Sequence, residues 1–580
     1  MERKKTLSVS IASHLTVGGE SDIVIQSMTN TYNKDIEATV QQIIAIYESG
    51  APLVRLTLPT IADLKYIKQV KTQLEHAGYH IPLVADIHFS PKTALKAAEY
   101  FDKIRINPGN FAEKSGIADM QEYIRQQLQP LVDYLKKSGK ALRVGVNHGS
   151  LSERMLERYG DTEEGMVWSA IEYLEILDDL GFENVVVSLK ATKPSVVVYA
   201  NRLIVKEFEK RGKLYPLHLG VTEAGYGMDG RIKSAIGIGI LLAEGIGDTI
   251  RVSLTEPPEN EIRPARIIKD YALDLLRKTH SSVPYYAPVK FISLKTKKVA
   301  ETGGEEKPKV FGLLTGVEKA DFEEDVVPDF MISATDERLV ARSTLSGNVY
   351  HVVTKKEYEP GGEEKFLLIA SKDLDFNTLA KLKADGKTAL ILLLNAYNPL
   401  EEQQKFYKLA DKFQLDVPVI FAREYDESDY EEFYIKAAVD LGYSFVNGRA
   451  NGIMPVNKNF KSSEATKVAF KILQATGARI NFTEYIACPS CGRTLFDIES
   501  TTREIEEATR QFKGIKIAVM GCIVNGLGEM ADADYGYVGT KPGMVSLYRN
   551  RTLVKKDIPQ KKAVEELVRL IQMDREGGDD

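Results

Sequence analysis

Three cysteines near the carboxyl end of this 580-residue chain have the spacing of a metal site. Cys488 and Cys491 form a Cys-Pro-Ser-Cys motif, and Cys522 follows in a glycine-rich segment after 30 intervening residues. Two thiolates separated by two residues can bind one metal centre from a single turn, and amides of a glycine-rich loop can point at cluster sulfurs. Because the chain has no further cysteine, it cannot form a four-thiolate site alone.

The other roles open to these cysteines are a redox pair, simple packing and zinc binding. A redox-active Cys-X-X-Cys pair would leave Cys522 unexplained, and the clustering favours metal binding over simple packing. Zinc bound by three thiolates and a carboxylate is chemically acceptable, so the spacing favours an iron–sulfur cluster without excluding zinc. Glu529, seven residues after Cys522, is the candidate oxygen ligand. Its alternative role is that of an ordinary surface or helix-capping glutamate.

Polar side chains also stand at the ends of short apolar runs in the first half of the chain, where an α/β barrel has its active-site face. They are Arg55, Asp86, His88, Arg105, Asn107, Arg143, Asn147, Ser188, Lys190, Thr222, Glu223, Arg251 and Ser253. In a closed barrel, the four arginines and the lysine among them would meet at one mouth, which is unfavourable unless an anion neutralises them. Guanidinium forks match phosphate oxygens, so we infer a ligand that carries phosphate or diphosphate.

Two further features lie near these strand ends. Asp86 and His88 are two residues apart, which would place both on one side of a strand or turn and allow an oriented acid–base pair. The glycine-rich segment 235–239 precedes the eighth predicted strand. It could offer backbone amides to the same ligand, or it could serve only close packing.

The elements that must position these side chains follow from the hydrophobic pattern. Between Ile23 and Leu254, β-branched runs alternate with amphipathic stretches of helix length. The predicted strands are Ile23–Met28, Leu53–Thr57, Leu83–Asp86, Lys103–Ile106, Arg143–Val146, Val185–Ser188, Leu217–Gly220 and Thr249–Val252. Eight consecutive βα units favour a closed TIM (β/α)8 barrel over an open sheet.

A second α/β domain is predicted beyond the helix-like stretch Ile262–Leu276 and a linker at Thr279–Pro288. Its predicted strands are Lys309–Leu314, Phe366–Ala370, Ala389–Leu394, Val417–Ala422 and Ser444–Asn447. We expect a partial barrel that acts as a spacer or scaffold, because the segment has no cysteine and its one histidine is an isolated residue.

The last hundred residues carry the cysteines together with an α+β pattern. The strand Lys516–Met520, a hairpin around Tyr537–Lys555 and a closing helix from Lys561 to Met573 are predicted. The predicted domains are therefore 1–280 for the barrel, 285–478 for the inserted domain and 479–580 for the cysteine-bearing domain.

Composition and charge narrow the class of protein. With 43% hydrophobic and 27% charged residues, the chain has the composition of a globular protein with several cores. A formal net charge of −6 argues against a broad nucleic-acid-binding face. No apolar run approaches the roughly 20 residues of a membrane helix, and the charged start is unlike a signal peptide. We expect a cytoplasmic protein that binds neither nucleic acid nor membrane.

In combination, several motifs resemble the 4-hydroxy-3-methylbut-2-enyl diphosphate synthase family, the iron–sulfur enzymes of the non-mevalonate isoprenoid pathway. These motifs are Ile25–Thr31, Ala85–Phe89, Arg105–Asn110, Gly220–Gly225 and Cys488–Thr494. The resemblance covers the chain to about Leu276 and from about Glu464, and the segment between resembles the insertion of the longer, three-domain form. One departure is Leu527, which stands where the family usually has a proline whose fixed φ helps to hold the loop.

The resemblance implies a 4Fe-4S cluster held by Cys488, Cys491, Cys522 and Glu529. It implies reductive opening of the cyclic diphosphate of methylerythritol with electrons from reduced flavodoxin or ferredoxin, and it allows a homodimer. The strand-end cations would hold the diphosphate. Glu223, and less directly the pair of Asp86 and His88, would supply the proton that converts the departing hydroxyl into water. The main alternative is a non-redox barrel enzyme acting on a phosphorylated substrate, with a structural zinc.

Overall fold

The computed structural model describes residues 2–87, 89–114, 116–279, 288, 290–291, 293–314, 322–323, 326–335, 338–530 and 532–576, except for the side chains of Val524, Asn525 and Glu529. The chain forms two compact units. One contains Arg3–Leu241, Ile246–Lys269 and Phe482–Asp580, and the other contains Met1–Glu2, Leu242–Gly245 and Asp270–Asn481. The amino-terminal barrel and the cysteine-bearing domain therefore belong to the same unit.

The amino-terminal strands confirm the predicted TIM barrel. A hairpin of β1 (Val9–Ala12) and β2 (Leu15–Val17) precedes the parallel strands β3 (Val24–Met28), β4 (Leu53–Thr57), β5 (Leu83–Asp86), β6 (Lys103–Ile106), β7 (Ala141–Asn147), β8 (Val185–Lys190), β9 (His218–Leu219) and β10 (Thr249–Ile250). Their order is β8-β7-β6-β5-β4-β3-β10-β9. A parallel bridge between Val187 and Leu217 joins the two ends of this sheet.

Helices follow the barrel strands, and several begin at side chains that cap them. They are α1 (Ile36–Glu48), α2 (Leu64–His76), α3 (Pro91–Ala97), α4 (Pro108–Phe111), α5 (Met120–Ser138), α6 (Glu153–Tyr159), α7 (Glu163–Asp179), α8 (Pro194–Arg211), α9 (Gly227–Ser234), α10 (Ile240–Ala243) and α11 (Ile262–Arg277). Asp35, Ser90 and Asp119 each accept a hydrogen bond from a first-turn amide of the helix that follows.

The hairpin closes the amino-terminal end of the barrel. Val9, Ile11 and Val17 pack against the inward-facing residues Val24 and Val84 and their neighbours at the starts of the strands. Burying an apolar side chain of this size stabilises the fold by about 1.5–3 kcal/mol. With this end filled by side chains, the strands' carboxyl ends are where polar residues can face a ligand.

The glycine-rich segment Ala235–Gly239 forms a buried π-helical turn. A Cβ atom on Gly237 would lie 2.6 Å from Cγ2 of Val221 and 3.6 Å from Pro194. This contact supports the close-packing interpretation of the segment, because a larger residue would collide with the loop after β9.

The second unit contains a closed barrel where the sequence predicts part of one. After a small hairpin of β11 (Lys298–Val299) and β12 (Thr302–Gly303), its strands are β13 (Lys309–Leu313), β14 (Phe330–Ala334), β15 (Leu339–Ser343), β16 (Val349–Thr354), β17 (Lys365–Ala370), β18 (Thr388–Leu394), β19 (Val419–Tyr425) and β20 (Gly452–Asn457). Strand β15 runs antiparallel to both neighbours, and the other neighbouring strands are parallel. The helices are α12 (Phe376–Ala384), α13 (Pro399–Phe413), α14 (Tyr430–Val446) and α15 (Ser462–Ala475).

One predicted strand of this domain is wrong. Residues Ser444–Asn447 form the end of α14 and its cap, and Asp429 caps the start of that helix. Because α14 is buried along almost its whole carboxyl-terminal half, its apolar end has the composition of a buried strand. Most of the linker predicted at Thr279–Pro288 lies outside the described residues.

The cysteine-bearing domain has the predicted α+β architecture. Its strands are β21 (Glu484–Ala487), β22 (Lys516–Met520), β23 (Tyr535–Lys541), β24 (Met544–Arg549) and β25 (Thr552–Pro559), and its helices are α16 (Ile498–Thr509), α17 (Ile523–Glu529) and α18 (Gln560–Glu576). Strands β21, β22 and β23 are parallel, whereas β23, β24 and β25 form an antiparallel meander. Residues of α16 and α18 such as Ile505 and Leu567 pack on the sheet.

Across the described parts of the chain, no helix combines the length and apolar character needed to cross a membrane.

Candidate active site

One cavity contains both groups of residues that the sequence marks as chemical. It has a volume of about 840 Å³ including its mouth, and it lies at the carboxyl ends of the strands of the first barrel. The barrel contributes Met28, Arg55, Asp86, Arg105, Arg143, Asn147, Ser188, Lys190, Thr222, Glu223, Arg251 and Ser253. The carboxyl-terminal domain of the same chain contributes Cys488, Pro489, Ser490, Cys491, Arg493, Thr494, Met520, Gly521, Cys522 and Gly526.

Three predicted site residues are not placed in this cavity by the structure. Asn107 is buried at the start of α4, where it accepts a hydrogen bond from the Gly109 amide at 3.2 Å and donates one to Ser150 Oγ at 3.0 Å. These contacts give it a role in shaping the loop after β6. His88 lies outside the described residues, and Glu529 is the last residue of α17, with its side chain also outside the description.

Arg143 is a buried cation with two unpaired guanidinium nitrogens among the described residues. Its side chain extends from β7 and is 1% exposed, and its Nε and Nη1 have no hydrogen-bond partner among the described residues. Burial, followed by the charges of Arg55 and Arg105, lowers the pKa of Arg143 well below its usual value. Such a group is costly in the folded chain unless an anion accepts its hydrogen bonds.

Arg55 and Lys190 extend this cationic surface. Arg55 Nε and Nη2 lie 3.0 and 2.9 Å from the Met28 sulfur, a weak acceptor, and burial lowers the pKa of Arg55 to about 10. Lys190 is 4% exposed, and burial together with the charge of Arg143 lowers its pKa well below the usual value. Both groups would gain from the arrival of an anion, since their present surroundings disfavour positive charge.

The other two barrel arginines are oriented by carboxylates. Arg105 Nη1 lies 2.9 Å from Asp86 Oδ1, and its Nη2 donates to the Gly145 carbonyl at 2.9 Å. Asp86 is thus a partner of a predicted substrate-binding arginine, and its expected pairing with His88 falls outside the described residues. Arg251 Nε and Nη2 donate to the two oxygens of Glu261 at 3.0 and 2.8 Å, leaving Nη1 on the side of Met28.

Glu261 is a functional candidate that the sequence analysis does not identify. It is 1% exposed at the end of the 3-10 turn Pro258–Glu261, and it also accepts hydrogen bonds from Ser27 Oγ at 2.6 Å and the Leu254 amide at 3.2 Å. A bidentate carboxylate of this kind fixes the plane of a guanidinium. The sequence places Glu261 just past the eighth strand, but nothing in its local pattern shows that it turns inward.

The charges of the cavity fit a multiply charged anion. Six basic side chains line it among the described residues, against the acids Asp86 and Glu223 and, behind Arg251, Glu261. Fully ionised, these groups carry a formal charge of +3. Because the excess is held in a largely buried place, a diphosphate would be bound there far more strongly than at a solvated surface.

Two residues of the cavity have left-handed backbones. Glu223 has φ of 48° and Ser490 has φ of 60°, in a region where residues other than glycine are unfavourable. Such conformations cost about 1–3 kcal/mol each and are concentrated at functional sites. Glu223 is also only 4% exposed. The chain therefore holds a carboxyl group in the cavity although both its left-handed backbone and its burial are unfavourable.

The sheet of the carboxyl-terminal domain brings the cysteines together. Cys488 directly follows β21 and Cys522 follows the adjacent parallel strand β22 after one residue, so both leave the same edge of the sheet. The Gly521 amide donates to Cys488 Sγ at 3.4 Å. Cys491 lies in a turn in which its amide donates to Thr494 Oγ1 at 3.0 Å, while the Thr494 amide donates to its carbonyl.

These thiols are a donor set that would fit an iron–sulfur cluster. Three cysteines line one cavity, and the Gly521 amide points at the sulfur of Cys488, as amides do around clusters. Burial raises the pKa of the Cys488 thiol, and a bound metal centre would offset this by stabilising the thiolate.

Comparison with known proteins matches the two domains that line the cavity, the first barrel and the carboxyl-terminal domain. A family model described as the GcpE TIM-barrel domain matches residues 6–266, and one described as the GcpE protein C-terminal domain matches residues 484–573. The 4-hydroxy-3-methylbut-2-en-1-yl diphosphate synthase (flavodoxin) of Porphyromonas gingivalis is 41% identical over 100% of this chain and 98% of its own length.

Further relatives of the same name match along their full length. The protein of Bacteroides thetaiotaomicron is 41% identical over 99% of this chain and 98% of its own. That of Chlamydia caviae is 40% identical over 98% of this chain and 97% of its own. The similarity therefore includes the middle segment, which the two family models leave unmatched. The chain belongs to the 4-hydroxy-3-methylbut-2-en-1-yl diphosphate synthase (flavodoxin) family.

Proposed function

We propose that this chain reduces 2-C-methyl-D-erythritol 2,4-cyclodiphosphate to 4-hydroxy-3-methylbut-2-enyl diphosphate in isoprenoid biosynthesis. The reaction consumes two electrons and two protons, opens the cyclic diphosphate and releases one water. The observation that carries the proposal is the shared cavity, which is lined both by an excess of basic side chains, among them the unpaired nitrogens of Arg143, and by three cysteines. Family membership supplies the identity of the substrate and the reaction.

The proposed cofactor is a 4Fe-4S cluster bound by Cys488, Cys491, Cys522 and Glu529. When bound, such a cluster supplies single electrons and an iron that acts as a Lewis acid toward a substrate oxygen. The donor set of the cavity supports this assignment, and the position of Glu529 on α17, the helix that begins directly after Cys522, is compatible with it.

The barrel side chains bind and orient the diphosphate in this proposal. Arg143 provides two guanidinium nitrogens without a hydrogen-bond partner among the described residues, and Arg55 and Lys190 add further buried positive charge. Arg105 and Arg251 add donors whose directions Asp86 and Glu261 fix. Neutral donors complete the set: Asn147, Ser188, Thr222 and Ser253. A substrate held at both phosphates would present its carbon skeleton to the cysteine side of the cavity.

Glu223 is the proposed acid. Its carboxyl group is buried in the cavity next to Thr222, on a backbone that is strained and therefore positioned by its surroundings. It would donate the proton with which the departing hydroxyl leaves as water. The pair of Asp86 and His88 is a second candidate for proton transfer, although the ion pair of Asp86 with Arg105 favours its charged form.

The proposed electron donor is reduced flavodoxin, which the names of the relatives include, with ferredoxin as the alternative. We also propose that the protein forms a homodimer and lies in the cytoplasm. The second unit of the chain, with its closed barrel, is proposed to be a spacer domain.

Metal analysis tests the cofactor and separates this proposal from its rival. Protein purified without oxygen is expected to be brown, with broad visible absorbance and about four iron atoms per chain. A colourless protein that contains one zinc per chain would support the alternative, a non-redox barrel enzyme that acts on a phosphorylated substrate.

A further inference from the structure

A buried ion pair connects the cysteine-bearing domain to the barrel. Lys233 Nζ, from α9 of the barrel, donates to Glu484 Oε1 at 2.8 Å. Their side chains are only 5% and 10% exposed. Glu484 has a second cation within its own domain, since Lys516 Nζ lies 3.1 Å from its Oε2. One carboxylate therefore stands between two lysines, of which one belongs to each domain.

The two lysines contribute differently to this contact. Glu484 and Lys516 are paired residues on the adjacent strands β21 and β22, so their contact exists whether or not the domain touches the barrel. Lys233 reaches Glu484 only when the domain is docked. Without Glu484, Lys233 would be a buried, uncompensated charge at the interface, and such charges are strongly unfavourable.

Glu484 is connected to the cysteines by a short, stiff segment. It is the first residue of β21, and Cys488 follows the last residue of that strand. At about 3.3 Å per residue, the Cα atoms of Glu484 and Cys488 are roughly 13 Å apart along the strand. At the far end, Thr255 Oγ1 of the barrel lies 3.2 Å from the Ala487 carbonyl and 3.3 Å from that of Cys488. Both ends of β21 are therefore attached to the barrel.

We propose that Lys233 is a positioning residue, which acts through Glu484 to hold the cysteine segment against the strand ends of the barrel. It is not among the residues that line the cavity, and it is 4% exposed. The proposal rests on the proposed function only for its consequence on turnover, because the placement of the segment can be measured separately.

A second ion pair between the same domains provides a matched control. Lys193 Nζ lies 2.9 Å from Asp532 Oδ1, but these side chains are 47% and 33% exposed. Solvated pairs contribute little, because water screens the charges and the side chains lose entropy on pairing. If burial is what makes the Lys233 ion pair hold the cysteine segment in place, removal of Lys193 should disturb the placement of that segment much less.

Hydrogen–deuterium exchange of the full chain, purified anaerobically, measures the placement. In Lys233→Met, backbone amides of residues 485–495 are expected to exchange about tenfold faster or more, because docking loses its buried pair. Lys233→Arg keeps the charge and should restore protection. Lys193→Met should change the rates less than about fivefold. Lys516→Met should also keep most of the protection, since Glu484 retains Lys233.

Strand β23 is the internal reference. Its amides should exchange as slowly in Lys233→Met as in the parent protein, and faster exchange there would indicate a global loss of structure. Affinity for inorganic diphosphate should change less than about twofold in Lys233→Met, because the barrel cations are untouched, while turnover falls. Equal protection of residues 485–495 in Lys233→Met and the parent would overturn the proposal. If the parent shows no turnover, the proposed function fails, and the exchange result still decides the role of Lys233.

Discussion

At the scale of single residues, the cavity is marked by buried arginines that lack full hydrogen-bond partners in the folded chain. Arg143 is buried with two unpartnered guanidinium nitrogens among the described residues, and Arg55 points two of its nitrogens at a thioether. Proteins seldom tolerate this arrangement for stability alone, because each such group loses its hydration without replacement. Binding of a diphosphate is the event that would compensate it.

Replacing Arg143 with methionine should therefore weaken substrate binding while stabilising the unliganded fold. Loss of two charge-assisted hydrogen bonds predicts a decrease in affinity of about 100-fold or more. Calorimetric titration with the cyclic diphosphate, or with inorganic diphosphate, measures it. Arg125→Met is the control, because Arg125 lies on α5 and pairs with Asp179 at an exposed position. Unchanged affinity in Arg143→Met would refute the assignment of the diphosphate site.

Glu223→Gln should affect catalysis rather than binding. The amide has nearly the same shape but cannot deliver a proton, so kcat should fall by about 10²–10⁴-fold while substrate affinity stays within a few-fold. Single-turnover kinetics with reduced donor separate the two quantities. If kcat is unchanged and affinity falls, Glu223 is a binding residue and the acid is another group.

At the scale of elements, the sequence predicts best the short, buried strands of the first barrel. The positions of β4, β5 and β6 agree with the structure to the residue, because each is a short run with apolar residues on both faces that is bounded by polar or turn residues. Strands β14, β15 and β16 are not predicted, since their burial alternates along the strand and their charged flanks resemble loops. The strand predicted at Ser444–Asn447 fails because a fully buried helix and a buried strand have the same composition.

The contact between α17 and the barrel depends on two glycines. A Cβ atom on Gly528 would lie 2.0 Å from the Gly149 carbonyl oxygen in the loop after β7. Gly528→Ala should therefore displace α17, which begins directly after Cys522, at a cost of about 1–3 kcal/mol. We expect a lower thermal midpoint and a reduced iron content. Gly386→Ala is the control, because a Cβ there meets no atom within 4 Å. Equal iron contents and midpoints would show that this close contact is not needed.

The pH dependence of the fold should report the charge of Glu484. Burial acts to raise the pKa of Glu484, but the charges of Lys233 and Lys516 outweigh it and lower the pKa to about 2. Since the unfolded value is about 4.3, this carboxylate contributes up to about 3 kcal/mol above pH 4.3, which is lost as the pH falls toward 2. The stability difference between the parent and Glu484→Gln should be constant from pH 5 to 8.

Denaturant unfolding of both proteins at pH 7, 5 and 3 measures this difference. At pH 3 it should have decreased by about half. A difference that does not change between pH 7 and 3 would mean that the carboxylate is not held in its charged form by the two lysines.

At the scale of the whole molecule, the sequence predicts the residues that line the site more readily than the residues that hold them in position. The thiols and strand-end arginines are visible because their residue types are unusual at those positions. Glu261 and Lys233 are not, since a buried carboxylate behind an arginine and a lysine at an interface have no local sequence signal. The position of the cysteines on the barrel of the same chain is likewise a property of the fold.

Turnover tests the central claim, that this cavity reduces a cyclic diphosphate, most directly. Anaerobic protein is mixed with 2-C-methyl-D-erythritol 2,4-cyclodiphosphate and chemically reduced flavodoxin, and the product is identified by mass spectrometry. The account predicts 4-hydroxy-3-methylbut-2-enyl diphosphate, formed with the oxidation of two equivalents of one-electron donor per product. Iron-containing, folded protein that binds the cyclic diphosphate and returns it unchanged under these conditions would contradict it.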